Sequence, residues 1–384
     1  MASADLASVD SRRAFDGEVS SPHLDALRIL ASAGIVILHY ANYIEDTAAG
    51  RFVYSYTQHF NLFVDLFFTI SGFVIASQYL GRVGNGASIG RFLWRRLARI
   101  YPLHIATLAF YVLIAALLHL GFVRVENAAR YPLSDIPAQI LLLHAFNGDR
   151  LTFNFPSWSL SAEMFCYVLF PLVAFVGLRR PKLVIALAVA AAVGNTLFVH
   201  LWRTSQWPDW INRGGEFRAL PAFFLGMALC LFRERIARVP LGVILLPAFL
   251  LFIVAGWAFP VMASLGLIYL IAIAAVHCDV AKVSTPLARL GLGRWAYLTY
   301  STYMLHMPVA TFVVTVLGRF LPHPAGMPLA LVLVAMVVLV FVSMASFRLF
   351  EDPIRRWLNA AFDRRRDLGP PPATVLAPRP RRAS

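Results

Sequence analysis

Ten stretches of roughly 17 to 22 apolar residues punctuate this chain and leave little room for any fold but one built in a membrane. They fall near 26–44, 59–79, 102–120, 158–178, 183–202, 218–232, 241–259, 261–277, 296–317 and 327–348. At about 1.5 Å of rise per residue, a helix of this length approaches the ~30 Å thickness of a hydrocarbon layer. Lipid offers no water to backbone N–H and C=O groups, so each such segment must satisfy them within its own helix. Of the 384 residues, 59% are hydrophobic and 14% charged, which excludes an ordinary soluble domain. The expected architecture is an all-α polytopic membrane protein with about ten transmembrane helices.

An even number of spans puts both termini on one side, and charge says which. With the termini cytoplasmic, 25 of the 33 Lys and Arg residues outside the first span lie inside and 8 outside, as the positive-inside rule requires. Were the short stretch 136–146 (IPAQILLLHAF) to cross as well, everything after it would flip, leaving 21 basic residues outside against 12 inside. Too short to span, it is expected to be re-entrant or interfacial. The polar stretch through Ser21 lacks the pattern of a cleavable signal peptide, so the first helix is expected to stay. Residues 1–23 then form a cytoplasmic N-terminal segment, 24–358 the membrane domain, and 359–384 a basic, Pro-rich, disordered cytoplasmic tail. The net charge of +14 reflects this orientation, with the lipid bilayer as counter-charge and no nucleic-acid partner expected.

Cys166, Cys230 and Cys278 lie in or at the ends of apolar spans without CxxC spacing and read as buried small hydrophobes, so no metal site is expected. No Gly-rich phosphate loop, HExxH or G-x-S-x-G occurs. Chemistry must come from polar groups within the spans, where an ionisable side chain is costly and a functional candidate by default.

Arg28 and His39 lie eleven residues apart in LDALRILASAGIVILHYANYI. At about 100° per residue they share one helix face, separated by ~16 Å along the axis. In the second span, Asp65 falls at the depth of His39, so a His–Asp contact between neighbouring helices is one expectation and a structural cap the other. Ser71-Gly72 in the same span reads as a site of close helix packing rather than nucleophilic catalysis. The run SIGRFLWRRLARIYPLHI carries Arg91, Arg95, Arg96 and Arg99. Arginine clusters suit phosphates through bidentate hydrogen bonds, although a positive-inside anchor gives the same pattern. Trp158 opens the fourth span at the expected outer interface, and Glu163 follows one turn later at the depth of His39, where it is either paired or neutral. His306 lies mid-span in YLTYSTYMLHMPVA and reads first as a hydrogen-bonded core residue.

LDALRILASAGIVILHY, VDLFFTISGFVIA, RRLARIYPLH, WSLSAEMFCYVLFP, RALPAFFLGM, STYMLHMPV and FEDPIRRWL resemble, in the same order, the sequence blocks of the acyltransferase family 3 membrane proteins. The resemblance runs from about His23 to Leu358. It implies a multi-pass O-acyltransferase of the bacterial inner membrane that takes an acyl group, most often acetyl from acetyl-CoA. The acceptor it implies is a carbohydrate or glycolipid hydroxyl, such as an exopolysaccharide or O-antigen unit, or an exported small molecule. Many members read WSLSVEEQFYLLWP, whereas Met164, Phe165 and Cys166 stand here, so only Glu163 and Tyr167 carry over. The glycine that precedes Val-Asp in the family is Phe63. Some members carry an added hydrolase-like domain; this sequence runs 36 residues past the last span, so transfer is expected to be completed within the membrane domain.

Resemblance and physics join in one scheme. The CoA phosphates dock on Arg95, Arg96 and Arg99 with Arg28 at the inner end of the site, and the pantetheine arm follows the Arg28–His39 stripe. His39 is the general base on the acceptor hydroxyl, with Asp65 or Glu163 orienting it. Ser71, Trp158, Tyr167, Arg218 and His306 are acceptor-binding or supporting candidates. Acyl-CoA is a substrate, and no bound cofactor is expected. An acyl-His or acyl-Ser intermediate is a variant of this scheme. The rival from another class is a proton-coupled transporter of a glycolipid or small solute, with Arg28, His39, Asp65 and Glu163 as its relay.

Overall fold

A computed structural model describes residues 21–122, 127–146, 151–321 and 327–366; residues 1–20 and most of the basic tail, 367–384, lie outside it. Among the described residues there is no β-strand. Helical segments occur at all ten expected places: α1 (Pro22–Ile44), α2 (Ala48–Tyr79), α3 (Gly86–His119), α4 (Phe155–Arg179), α5 (Pro181–Trp202), α6 (Gly215–Leu231), α7 (Gly242–Ala258), α8 (Val261–Val280), α9 (Leu292–Phe320) and α10 (Met327–Arg364). Eight of them are long and apolar enough to cross a membrane. The other two, α6 and α7, are 17 residues or shorter, and α6 holds Glu216 and Arg218 in its first turns. The stretch 136–146 contributes only a five-residue helix, Ile136–Ile140, and a 3-10 turn, His144–Phe146, so it does not cross.

Backbones of α2 and α6 nearly touch. A methyl added at Gly72 would sit 2.1 Å from the Phe223 carbonyl oxygen, and one at Gly226 would sit 2.0 Å from that of Thr69. Without a hydrophobic drive between helices in lipid, van der Waals contact between small residues must hold them, and these two glycines permit it from both sides. Close packing at Ser71-Gly72 is thus what the structure contains.

Prolines fix other pairs. Pro308 cannot donate to the carbonyl of Met304, four residues earlier, and that oxygen accepts instead from Asn154 Nδ2 at 3.0 Å. Pro221 likewise frees the Phe217 carbonyl, which accepts from Asn195 Nδ2 at 3.0 Å. Each buried asparagine therefore ties a neighbouring segment to a proline-bearing helix at one register. The start of α1 is held similarly: the backbone N–H groups of His23 and Leu24 donate to Asp279 at 2.9 and 3.1 Å, satisfying groups a helix start leaves orphaned.

At the other terminus the helical stretch Asp352–Arg366 runs past the expected boundary at 358. It is pinned to α3 because Trp94 donates to the Leu358 carbonyl at 3.2 Å and stacks on Phe362 at 5.2 Å. The start of the expected disordered tail is therefore ordered helix as far as Arg366. Lipid-facing apolar surface falls mainly on α5 and α10, where Val189, Val193, Leu333 and Val337 are exposed.

Replacing Gly226 by Val should force α2 and α6 apart at a cost of roughly 1–3 kcal/mol or more, read as a lower melting temperature and loss of monodisperse protein in detergent. Gly266→Ala, where a methyl meets nothing within 4 Å, should leave both unchanged.

Candidate active site

Side chains from α1, α2, α3, α4 and α9 enclose a narrow cavity of about 150 Å³. Arg28, Arg96 and Arg99 line it, together with Ser71, Glu163 and Tyr167, then Ser159, Tyr300 and Tyr303. Glu163 is held by two donors: the hydroxyls of Ser71 and Tyr167 both donate to its Oε1 at 2.6 Å. One carboxylate oxygen bound by two hydroxyls is a satisfied acceptor, so its burial is compensated. Beyond it Ser159 donates to the Tyr303 hydroxyl at 2.9 Å, and Tyr303 donates to the Pro156 carbonyl at 3.0 Å.

His39 lies past Tyr303 and is joined to the cavity through His306. The two imidazoles stack nearly parallel, with Nδ1 of His39 2.7 Å from Nε2 of His306. Nδ1 of His306 is 2.6 Å from the Tyr303 carbonyl oxygen, which can only accept. For neutral rings the hydrogens then follow: His306 carries its proton on Nδ1, its Nε2 accepts, and His39 must donate from Nδ1. His39 Nε2 is left with a lone pair, the requirement for a general base. The Phe155 ring packs edge-on at 5.1 Å, and the Arg130 guanidinium covers Phe155 at 5.2 Å, so His39 sits between the cavity and the non-spanning segment that precedes α4.

Asp65 does not meet His39. Fully buried, it faces α6, where Arg218 Nη2 donates to its Oδ2 at 2.7 Å. Arg218 also donates to the carbonyls of Asn61 at 3.1 Å and Trp210 at 3.3 Å, and its guanidinium lies 5.2 Å over the Trp158 ring. The partner expected at matched depth is lost because depth does not fix azimuth: Asp65 points across the α2–α6 seam. Glu163 is not paired with His39 either, and its place is taken by His306. Trp158, expected at the interface, is buried, 4% exposed, as the ring on which Arg218 and Phe68 pack.

The arginine cluster divides. Arg96 and Arg99, three residues apart, line the cavity. Arg95 turns the other way, to Asp363 at 3.5 Å, and so does not join them. Arg28 lines the same cavity while bonded to Asp25 at 3.0 Å. The stripe on α1 thus has its arginine at the cavity and its histidine beyond Tyr303. Sequence reasoning missed Tyr300 and Tyr303, although they precede His306 at three-residue steps in TYSTYMLH and so share its helix face. It also missed Glu351, which accepts from Ser301 and Ser346 at 2.7 Å each and joins α10 to α9. The three cysteines are buried and free, and among the described residues no group of three His, Cys, Asp or Glu side chains could hold a metal ion.

A family model described as "Acyltransferase domain" matches residues 22–348. "Acyltransferase MdmB" of Streptomyces mycarofaciens is 31% identical over 199 residues, which are 50% of this chain and 48% of the relative. "Protein 2 in picA locus" of Rhizobium radiobacter is 37% identical over 87 residues, 22% of this chain and 41% of the relative. The chain thus spans about half the length, or less, of these curated relatives. No solved structure matches it.

Cutting the Asp65–Arg218 pair leaves an uncompensated buried charge, typically worth 3–5 kcal/mol, roughly. Asp65→Ala and Arg218→Met should each abolish folded protein on gel filtration, and Asp65→Leu combined with Arg218→Met should recover it.

Proposed function

Because the chain belongs to the acyltransferase domain family over residues 22–348, we propose that it is a membrane-embedded O-acyltransferase moving an acyl group, acetyl in the first instance, from acyl-CoA to a carbohydrate or glycolipid hydroxyl. The observation that carries this reading is the His39–His306 pair, which leaves one imidazole nitrogen basic beyond the end of an arginine-lined cavity. The charge distribution favours an orientation with the arginine end of the cavity cytoplasmic, and the family suggests a bacterial inner membrane.

The cavity is the path assigned to the pantetheine arm, with the nucleotide left outside it. The anionic phosphates then stay at Arg28, Arg96 and Arg99, where charge-assisted hydrogen bonds are strongest. The thioester reaches past Glu163 toward Ser159 and Tyr303. His39 Nε2 takes the proton of the acceptor hydroxyl as its oxygen attacks the thioester carbonyl. A C–O bond forms, the C–S bond breaks, and the proton passes from His39 to the departing CoA thiolate. His306 is a positioning residue, holding the His39 tautomer that the first step needs.

Membranes given radiolabelled acetyl-CoA should label a glycan. His39→Ala should cost about 10²–10⁴-fold in rate at normal protein levels, and full activity there would remove the base from the scheme. Arg96→Ala and Arg99→Ala should raise KM for acetyl-CoA roughly 10- to 100-fold, the worth of a charged hydrogen bond, with kcat little changed. His306→Phe should lower kcat, whereas His306→Gln, whose amide oxygen can accept from His39 Nδ1, should retain much of it. Absence of any labelled product from the wild-type chain would favour a carrier.

A further inference from the structure

A second and much larger recess lies where α5 ends and α6 begins, a groove of about 1040 Å³ lined by both helices, by the connection between them and by Phe146 and Leu151. Its position is opposite the basic Arg179–Lys182 end of α5, so the charge distribution that orients the chain puts the groove at the outer surface. Neither the cavity described above nor the histidine pair uses it.

The lining is of two kinds. Phe198 and Trp202 stack at 4.6 Å, and Trp210 stands edge-on to Phe198 at 5.6 Å. Trp202 is 64% exposed and Phe198 43%, so flat aromatic surface is on offer. The same lining carries the carboxyls of Asp209 and Glu216. Glu216 is 3% exposed, yet its Oε2 has no hydrogen-bond partner. A buried, unsatisfied acceptor is expensive and calls for a donor supplied from outside. Below this end, Gly194 and Ala191 continue the groove along the flank of α5, which faces lipid.

We propose that this groove binds the acceptor, and that the acceptor is an amphiphile: a sugar held by its hydroxyls against Glu216 and Asp209 and by its faces against Trp202 and Phe198, with its hydrocarbon chain along α5. Among the described lining residues Asp209 and Glu216 stand with Arg213, a set rich in acceptors that suits hydroxyl donors more than a phospholipid phosphate. The aromatic faces present the apolar, rigid surface on which the C–H face of a sugar ring rests. The groove is also close to the chemistry. A methyl at Gly215, beside Glu216, would fall 2.7 Å from the Trp158 ring, and that indole also packs edge-on with Phe68, which lines the narrow cavity. Trp158 and Phe68 thus link the start of α6 to the wall of the narrow cavity. The assignment as acceptor site rests on the acyl-transfer reading, whereas occupancy by an amphiphilic sugar is measurable without it.

The test uses the full chain in lipid nanodiscs, without acyl donor, and an alkyl glucoside carrying a diazirine in its chain. Photolabelling should map to peptides from α5 and the start of α6. Dodecyl maltoside should compete, and maltose or dodecylphosphocholine should not. Trp202→Ala, at an exposed position, and Glu216→Leu should each lower labelling about fivefold or more, with Trp202→Ala guarding against a folding defect in the other. Equal competition by dodecylphosphocholine would make the groove a phospholipid site and overturn the proposal, as would labelling that maps elsewhere or ignores both variants. If labelling behaves as expected while no acyl transfer is detected, the groove stands and the enzymatic reading falls. If transfer to a glycan proceeds with labelling elsewhere, the reverse holds.

Discussion

The ion pair between Asp65 and Arg218 is the interaction on which the rest of the structure hangs. Both side chains are essentially withdrawn from solvent, 0% and 1% exposed, at the seam where α2 and α6 pack backbone to backbone. A buried pair earns its stability only when the remaining hydrogen-bonding capacity is met. Here Arg218 spends its other donors on the Asn61 and Trp210 carbonyls. The pair therefore does more than join two helices: it clamps the 3-10 turn Gln58–Leu62 within α2 and the loop before α6, and it seats Trp158 near the head of α4. Glu163 and Ser159 descend from that tryptophan on the same helix, so the polar lining of the cavity takes its position from a charge pair that does not enter it.

Helical class, the apolar segments and the small-residue contact at Gly72 were legible in the sequence because they depend on composition and spacing along one chain. Arg28, Glu163 and Tyr167 stood out as ionisable or hydroxyl groups where lipid penalises them, and the structure brings these three to one cavity. What the sequence could not supply was azimuth. Depth along a helix can be counted in residues, but it says nothing of direction: Asp65, counted to the level of His39, faces Arg218 instead. Which neighbour each faces is set by helix rotation and crossing, and these follow from packing against partners hundreds of positions away. The same limit explains Arg95, which differs from Arg96 by one residue and about 100° and so serves the C-terminal helix rather than the cavity. Trp158 shows a related failure: an aromatic residue at a helix start reads as an interface anchor, but here it is buried against Phe68 and Arg218.

Proline placement carries a further lesson about how the site is held. Pro308 and Pro221 each strip one carbonyl of its helical donor, and in both cases an asparagine from another segment replaces it. Such a bond resists slipping by a turn, because the carbonyl four residues before the proline is the one that the proline leaves without its helical donor. His306 lies two residues before Pro308, on a stretch whose register is thereby fixed against the segment carrying Asn154. The histidine pair is thus built on rigid elements, the condition for a constellation that must hold a hydrogen-bond geometry to a few tenths of an ångström.

The order of hydrogens along that pair has one more consequence. His306 hands its only proton to a backbone carbonyl, which cannot carry it further. A proton arriving at His39 can at most be shared with His306 and then meets a cul-de-sac. It must return through the nitrogen by which it entered. A chain of this kind cannot conduct protons from one face of a membrane to the other; it can only lend a place to one proton for the duration of an event, and whatever gives that proton up and whatever receives it must both come to the same edge of the same ring.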